Sequence, residues 1–579
     1  MSRTRMRRLG GALVVAGIMG ALLGPVPAAN AQVAFPDADF SGYATGSVVH
    51  TDLINQGTTR VENTDIAYSG ASVNSKGLTA PITNEMARVV QPAQAGKKAY
   101  ARGAGIEVGL VQAPTADGQV LLAGKAEASA PPTTIAAPRQ IAVQQDPALS
   151  VQAAIGNAAA RWNDNACMLG QDLARGFGSV ADAQLVDVDT APGTDPGLEA
   201  PIVATDATNP DRDVVTSISR NKLVPQTSET GAVVGPNFGL MSQVDQTIAP
   251  IRLNVPPDTN PANDILIEVG GVWRLTTVAT GIAGQAWIHY GPLAAEPQTI
   301  VLKIQQGTGT PTMINLQQIT GPTGLVVPLP SSLGEIVIGE DPRKIGGTAA
   351  DAPTEGGDGT LVAAAVDVLR IKLAAVPGLA DIRVGHMEAK AQVPAGGVIC
   401  NIPVSKDADP REVFSPGSFL YNIEVDNSNS ACELQNVVLT DTIRVKSGNP
   451  QFAIDETDPR NDPKPTSVTA DKKGATWELG TIAAGAKKKV VLVVQAISGA
   501  GVLENTARAT GLLNCPDATA MGEANVKVPL VGSVVVEIPR VDMAAVLPRT
   551  GGPLVAPIAL ALFGGAAAVR WVRRRINDV

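Results

Sequence analysis

Aromatic side chains make up only 3% of this 579-residue chain, and histidine occurs three times. So few rings exclude cores built on Phe and Trp, leaving Val, Ile, Leu and Ala to fill the interior. The three histidines, His50, His289 and His386, are scattered along the chain, and each reads as a structural or surface residue. No G-x-S-x-G elbow, H-E-x-x-H helix, P-loop or G-x-G-x-x-G turn occurs, so the short patterns that carry hydrolase, metalloprotease and nucleotide chemistry are missing. A carboxylate pair or a Ser/His/Asp set assembled from distant strands stays open, because geometry and not order defines such sites. The expectation is a protein that is not an enzyme. Cysteine is also scarce. The four, Cys167, Cys400, Cys432 and Cys515, show no C-x-x-C and no zinc-site spacing.

What is abundant is turn chemistry. There are 59 Gly and 43 Pro, against 44% hydrophobic residues, which suits many short strands with Gly/Pro punctuation and excludes a disordered stalk. The class expected is all-β.

Both ends carry targeting patterns. Arg3, Arg5, Arg7 and Arg8 precede an apolar run from Leu9 to Leu23, and Ala29-Asn30-Ala31 offers a cleavage site at Ala31–Gln32. Residues 1–31 therefore read as a secretory signal peptide. At the other end, residues 553–569 carry no charge and are followed by Arg570, Trp571 and Arg573 to Arg575. About 17 helical residues span roughly 26 Å, just short of a hydrocarbon core, so 553–569 reads as a transmembrane helix. The basic end belongs in the cytoplasm, with everything upstream outside.

The segment before that helix is Leu547-Pro548-Arg549-Thr550-Gly551. This order of short motif, apolar helix and basic stop (547–579) resembles the cell-wall sorting signal of Gram-positive LPxTG surface proteins. The resemblance implies that a sortase cleaves Thr550–Gly551 and passes the threonine carboxyl to an amine of the peptidoglycan cross-bridge. The chain is then the substrate of an enzyme at this site, held by the membrane only before sorting. Losing both ends removes eight arginines and Asp578, taking the formal charge from −9 to −16. So acidic a body argues against non-specific nucleic-acid binding.

Between the ends, residues 32–400 read as one large β-rich unit, or two sharing an interface. Short alternating runs recur at 46–50, 105–111, 265–269, 272–276, 286–290, 300–304, 312–316, 335–338, 369–373 and 382–393. Residues 113–147 read as a pair of strands or a long excursion. Residues 147–173, opening on Asp146-Pro147 and rich in alanine, are the best helix candidate. The phrases YATGSVVHTDLI, ARWNDNACMLGQDLARGFG, FGLMSQVDQTIAP and RVGHMEAKAQV resemble N-terminal domains of actinobacterial wall-anchored proteins, which adds architecture and no chemistry.

Residues 401–528 are the most legible. Phe419, Tyr421, Ile423 and Val425 alternate with polar neighbours, and further strands follow at 434–443, 476–480, 489–494 and 503–510. That spacing predicts an immunoglobulin-like β-sandwich. The phrases PGSFLYNIEVDN, LQNVVLTDT, WELGTIAAG and ENTARAT resemble the DUF11 module of bacterial surface proteins, whose implied role is a spacer. A short linker is expected over 529–546. Four cysteines permit three pairings. Because Cys432 and Cys515 fall in one module, Cys432–Cys515 with Cys167–Cys400 is preferred, in an oxidising compartment.

Two kinds of site remain as candidates. Acidic loops Asp187/Asp189/Asp195, Asp206/Asp211/Asp213 and Asp455/Glu456/Asp458/Asp462 supply oxygens for calcium, but none has EF-hand spacing. No other metal or cofactor is expected. Lys406 near the first sandwich strand and Asn505 in its last could also meet and form an isopeptide bond, assisted by Asp441 or Glu424. The leading expectation is a non-enzymatic, extracellular, wall-attached protein with an envelope-structural or adhesive role toward glycan or protein. The alternatives are a sortase-polymerised pilus subunit, which lacks a Tyr-Pro-Lys stretch, and an extracellular hydrolase, which lacks a legible site.

Overall fold

A computed structural model describes residues 35–543, less several short stretches of which 111–120, 188–200, 254–264 and 516–525 are the longest. The signal peptide, its cleavage site Ala31–Gln32, the sorting motif 547–551 and the apolar segment 553–569 lie outside the described residues. Among the described residues the chain is all-β, with no helix and none long and apolar enough to cross a membrane.

Residues 35–400 form two large antiparallel sheets of twelve strands each. The first centres on Ser41–Thr51. It pairs with Ile382–Gln392 on one side (Ser41 opposite Gln392) and with Thr59–Asn74 on the other, which in turn pairs with Ala99–Leu110. The second runs through Leu149–Ala160, Asp172–Asp187, Val214–Thr227, Val233–Thr247, Val272–Ala279 and Trp287–Leu293. The N- and C-terminal ends of this unit are thus adjacent strands of one sheet.

The helix expected over 147–173 does not form. Residues 149–160 are a strand, 161–171 a loop, and 172–187 the next strand, with Ala154 opposite Val180. Alanine favours helices in isolation, but here it serves close packing. Ala154, Ala158, Ala160 and Ala174 are buried where the sheets face each other. Glycine makes the approach closer still. A Cβ on Gly176 would lie 2.2 Å from the Arg102 carbonyl oxygen, and one on Gly178 would lie 2.2 Å from that of Tyr68. Sheets packed through large side chains stand about 10 Å apart. The small-residue rows remove that spacing, so few aromatics are needed to fill it.

Residues 404–543 form a second sandwich. Val404–Asp409, Gly417–Asp426, Lys487–Ser498 and Gln451–Ile454 make a four-stranded sheet. It faces a seven-stranded sheet that contains Glu433–Gly448, Gly474–Ile482 and Gly501–Cys515. Phe419, Tyr421, Ile423 and Val425 are all buried, and the polar residues between them are more exposed. That is the period-2 pattern of a strand with one face on a core. Trp477 fills the centre and donates its indole N–H to the Pro463 carbonyl at 2.9 Å.

The linker expected over 529–546 is largely sheet. Val526–Val536 pairs with Gly501–Cys515, and Arg540–Met543 runs parallel to Glu412–Ser415. The valines at 534–536 have the strand-forming side chains that a free linker lacks, and an open sheet edge gives them a partner.

Two disulfides join Cys167 to Cys400 and Cys432 to Cys515. The first ties the 161–171 loop to the end of the large unit. The second closes one end of the sandwich, and Ala431 donates its N–H to the Leu169 carbonyl at 2.9 Å. Asn163 and Asn429 share a side-chain hydrogen bond of 3.0 Å across the same junction. Disulfides persist in oxidising compartments, which places this fold outside a reducing cytosol.

Candidate functional site

Within the sandwich, three polar side chains converge where an apolar core is expected. Lys406 lies on Val404–Asp409, opposite Ile423, and points into the space between the sheets. On the facing sheet Asp441 pairs with Ala507 and Ile443 with Asn505. Asp441 and Asn505 are therefore diagonal neighbours on one face, within cross-strand reach. The Lys406 ammonium contacts Asp441 Oδ2, and both side chains are wholly shielded from solvent. Asn505 is equally buried. The Tyr421 ring, 4.5 Å from Lys406 Nζ, closes the site.

Removing charges from water is costly, and a single ion pair seldom repays it. The shifts follow that rule. Burial pulls the Lys406 amine down to about 8 against the opposing pull of Asp441. Burial likewise raises the Asp441 carboxyl, against Lys406 and Asn505. Both partners are moved toward their neutral forms. No hydrogen bond of ordinary geometry closes on either polar atom of the Asn505 amide or on Asp441 Oδ1. The amide nevertheless lies near enough to Asp441 and Tyr421 to favour their ionised forms. Glu424, the other carboxylate considered for this site, lies at the surface and pairs with Lys487 at 2.8 Å.

The remaining sites expected from sequence are dispersed. His50 and His386 are both fully buried, against Asp65 and Asp367 respectively, each at 2.6 Å. His386 also reaches Glu388 at 2.9 Å, and Asp367 accepts from Arg343 at 3.0 Å. This network is sealed from solvent, and its members come from positions 343, 367, 386 and 388 with no motif to announce them. His289 meets Glu229 near the surface at 2.9 Å.

Of the acidic loops, 206–213 and Asp189/Asp195 lie outside the described residues. In the 455–462 loop three of the carboxylates have partners, Glu456 among them through Lys472 at 3.7 Å. Asp455 accepts from Thr457 and Gln495, and Asp458 accepts from Arg460. Among the described residues no group of three His, Cys, Asp or Glu side chains converges as a metal site. A cleft of about 400 Å³ opens at the junction beside the Cys167–Cys400 bridge, lined by Phe35, Asn165, Asn401 and Ser533 among others. Among the described residues that line it, Asp426 is the one ionisable group.

No family model matches the chain. No curated protein matches it in sequence. Among solved structures, the chain is similar to the N-terminal domain of a Streptococcus gordonii adhesin at 8% identity and a TM-score of 0.14, covering 85% of this chain and 94% of that one.

Proposed function

We propose that this chain is an exported surface protein, attached to peptidoglycan by a sortase, with an envelope-structural or adhesive role and no catalytic activity of its own. The observation that carries the reading is the C-terminal order of Leu547–Gly551, the uncharged 553–569 and the basic cluster from Arg570 to Arg575. In this reading Leu547, Pro548, Thr550 and Gly551 are the sorting motif, and Thr550–Gly551 is the bond cut. The N-terminal signal pattern and the two disulfides support export. The large unit, 32–400, is then the displayed part and the sandwich its base, with wall glycan or neighbouring proteins as partners.

Fractionation of cells expressing Thr550→Ala tests the reading. The variant should leave the covalently wall-bound fraction and appear in membrane or medium. Unchanged covalent attachment would end the sortase hypothesis.

A further inference from the structure

We infer that Lys406 and Asn505 are joined by an intramolecular amide bond that the folded sandwich makes on itself, with Asp441 moving the proton. Three features of the site lead there. The amine, the carboxylate and the carboxamide come from three different strands, and all three are sealed from solvent. The carboxamide has no well-aligned hydrogen bond of its own. An ammonium and a carboxylate alone, buried this deeply, are a poor stabilising device, whereas a covalent product removes both charges.

The chemistry balances without any further reactant. The Lys406 ammonium gives one proton to the Asp441 carboxylate, leaving a neutral amine beside a carboxylic acid. Burial favours this direction, as the lowered amine and raised carboxyl show. The Nζ lone pair attacks Cγ of Asn505 while Asp441 donates its proton toward the carboxamide oxygen, stabilising the tetrahedral adduct. The adduct collapses by breaking the Cγ–Nδ2 bond. Of the second Nζ proton and the proton on oxygen, Asp441 relays one to the departing nitrogen, which leaves as ammonia, and keeps the other. The product is one Nζ–Cγ amide beside a protonated Asp441. Nothing is oxidised or reduced. Asp441 is in contact with the attacking nitrogen and adjacent to the carboxamide, so one side chain serves as base and then as acid.

The bond would connect the first strand of the sandwich, Val404–Asp409, directly to Gly501–Cys515. That second strand pairs with both Val526–Val536 and Arg540–Met543. A load entering from the large unit at residue 404 would then pass to the C-terminal strands without stretching residues 410–500. The bond itself is inferred from the site and holds whether or not the chain is wall-anchored.

Tryptic mapping of the full-length protein, reduced and denatured, tests this. Lys406 should resist cleavage. Segments 391–411 and 490–508 should be recovered as one branched species, lighter than their sum by one ammonia. Recovery of both as separate, unmodified peptides, with cleavage after Lys406, would overturn the inference without any variant having to fold. Asp441→Asn keeps both reacting groups and removes the proton carrier. It should give the two segments separately from folded protein. A linked Asp441→Asn variant would overturn the role given to Asp441.

Discussion

His386 Nδ1 lies 2.6 Å from Asp367 Oδ1 with both side chains fully buried, so two ionisable groups are locked into one proton-sharing pair inside the large unit. Burial alone would lower the histidine, but Asp367 and Glu388 outweigh it and push His386 up to about 9. Burial alone would raise Asp367, yet His386, Arg343 and Arg383 hold its carboxyl well below the usual range.

The sign of the pH dependence follows from these shifts. Between the unfolded histidine value of about 6.5 and the folded value of about 9, the native state holds a proton that the unfolded chain has lost. The histidine contribution is therefore complete below about 6.5 and lost as pH rises toward 9. It is on the order of 3 kcal/mol. The lowered Asp367 acts oppositely, and its contribution fades only in acid. Lys406, if its amine is free, works against the histidine above about 8, so pH 6.5–8 is the diagnostic window. Urea unfolding across that window should show stability falling for the native sequence and a flatter profile for His386→Gln. Identical slopes in the two would remove His386 as the cause.

The Gly176 and Gly178 rows predict a second effect. A methyl at either position meets backbone, not a flexible side chain, so the sheets must part. Gly176→Ala or Gly178→Ala should cost ~2 kcal/mol or more by overpacking. Gly291→Ala is the control, since a Cβ there meets nothing within 4 Å, and it should stay within about 0.5 kcal/mol. Chemical denaturation of the three variants checks this. Equal stability at 178 and 291 would show that the sheets are less closely packed than described.

Those glycines also show where the sequence was legible and where it was not. The sandwich could be read because Phe419, Tyr421, Ile423 and Val425 alternate cleanly around one buried face. The pattern at 147–173 misled because alanine is the best helix former and also the smallest side chain with a Cβ. Its use as a spacer between sheets depends on Gly105 and Gly124 of the facing sheet lying against Ala154, which only the tertiary fold arranges. Lys406, Asp441 and Asn505 could be proposed together because one module contains them all. The His386 network could not, since Arg343, Asp367 and Glu388 look like ordinary strand and turn residues. The strand Val526–Val536 overlaps the expected linker because its valine run at 534–536 is short, and its partner strand, Gly501–Cys515, is supplied only by the tertiary fold.

A third prediction concerns Cys432–Cys515, which closes 83 residues of chain. Removing it with a Cys432→Ser/Cys515→Ser pair should cost about 4.5 kcal/mol on the chain-entropy account. The sandwich should lose stability before the large unit, giving two thermal transitions where reductant is absent. Calorimetry of the native and double-substituted chains would decide. A single unshifted transition would mean that the bridge adds nothing the strands do not already supply.

The last prediction rests on the wall-anchoring proposal and concerns reach. The last of the described strands ends at Met543 and the sorting motif begins at Leu547, leaving three residues between them. Four extended Cα steps cover at most about 14 Å, so a sortase-attached sandwich would sit against the wall polymer with almost no leash. The displayed unit would then stand only one sandwich above its attachment point, well inside a thick Gram-positive wall or barely clear of it. Antibody labelling of the 32–400 unit on intact cells should accordingly be weak. Inserting a Gly/Ser spacer of about 20 residues between Met543 and Leu547 adds roughly 25 Å of root-mean-square reach and should raise that labelling. Protease shaving should follow the same order. Strong labelling of the native chain, unchanged by the spacer, would mean that the large unit already clears the wall, and would favour a ligand-binding adhesin over a component embedded in the envelope.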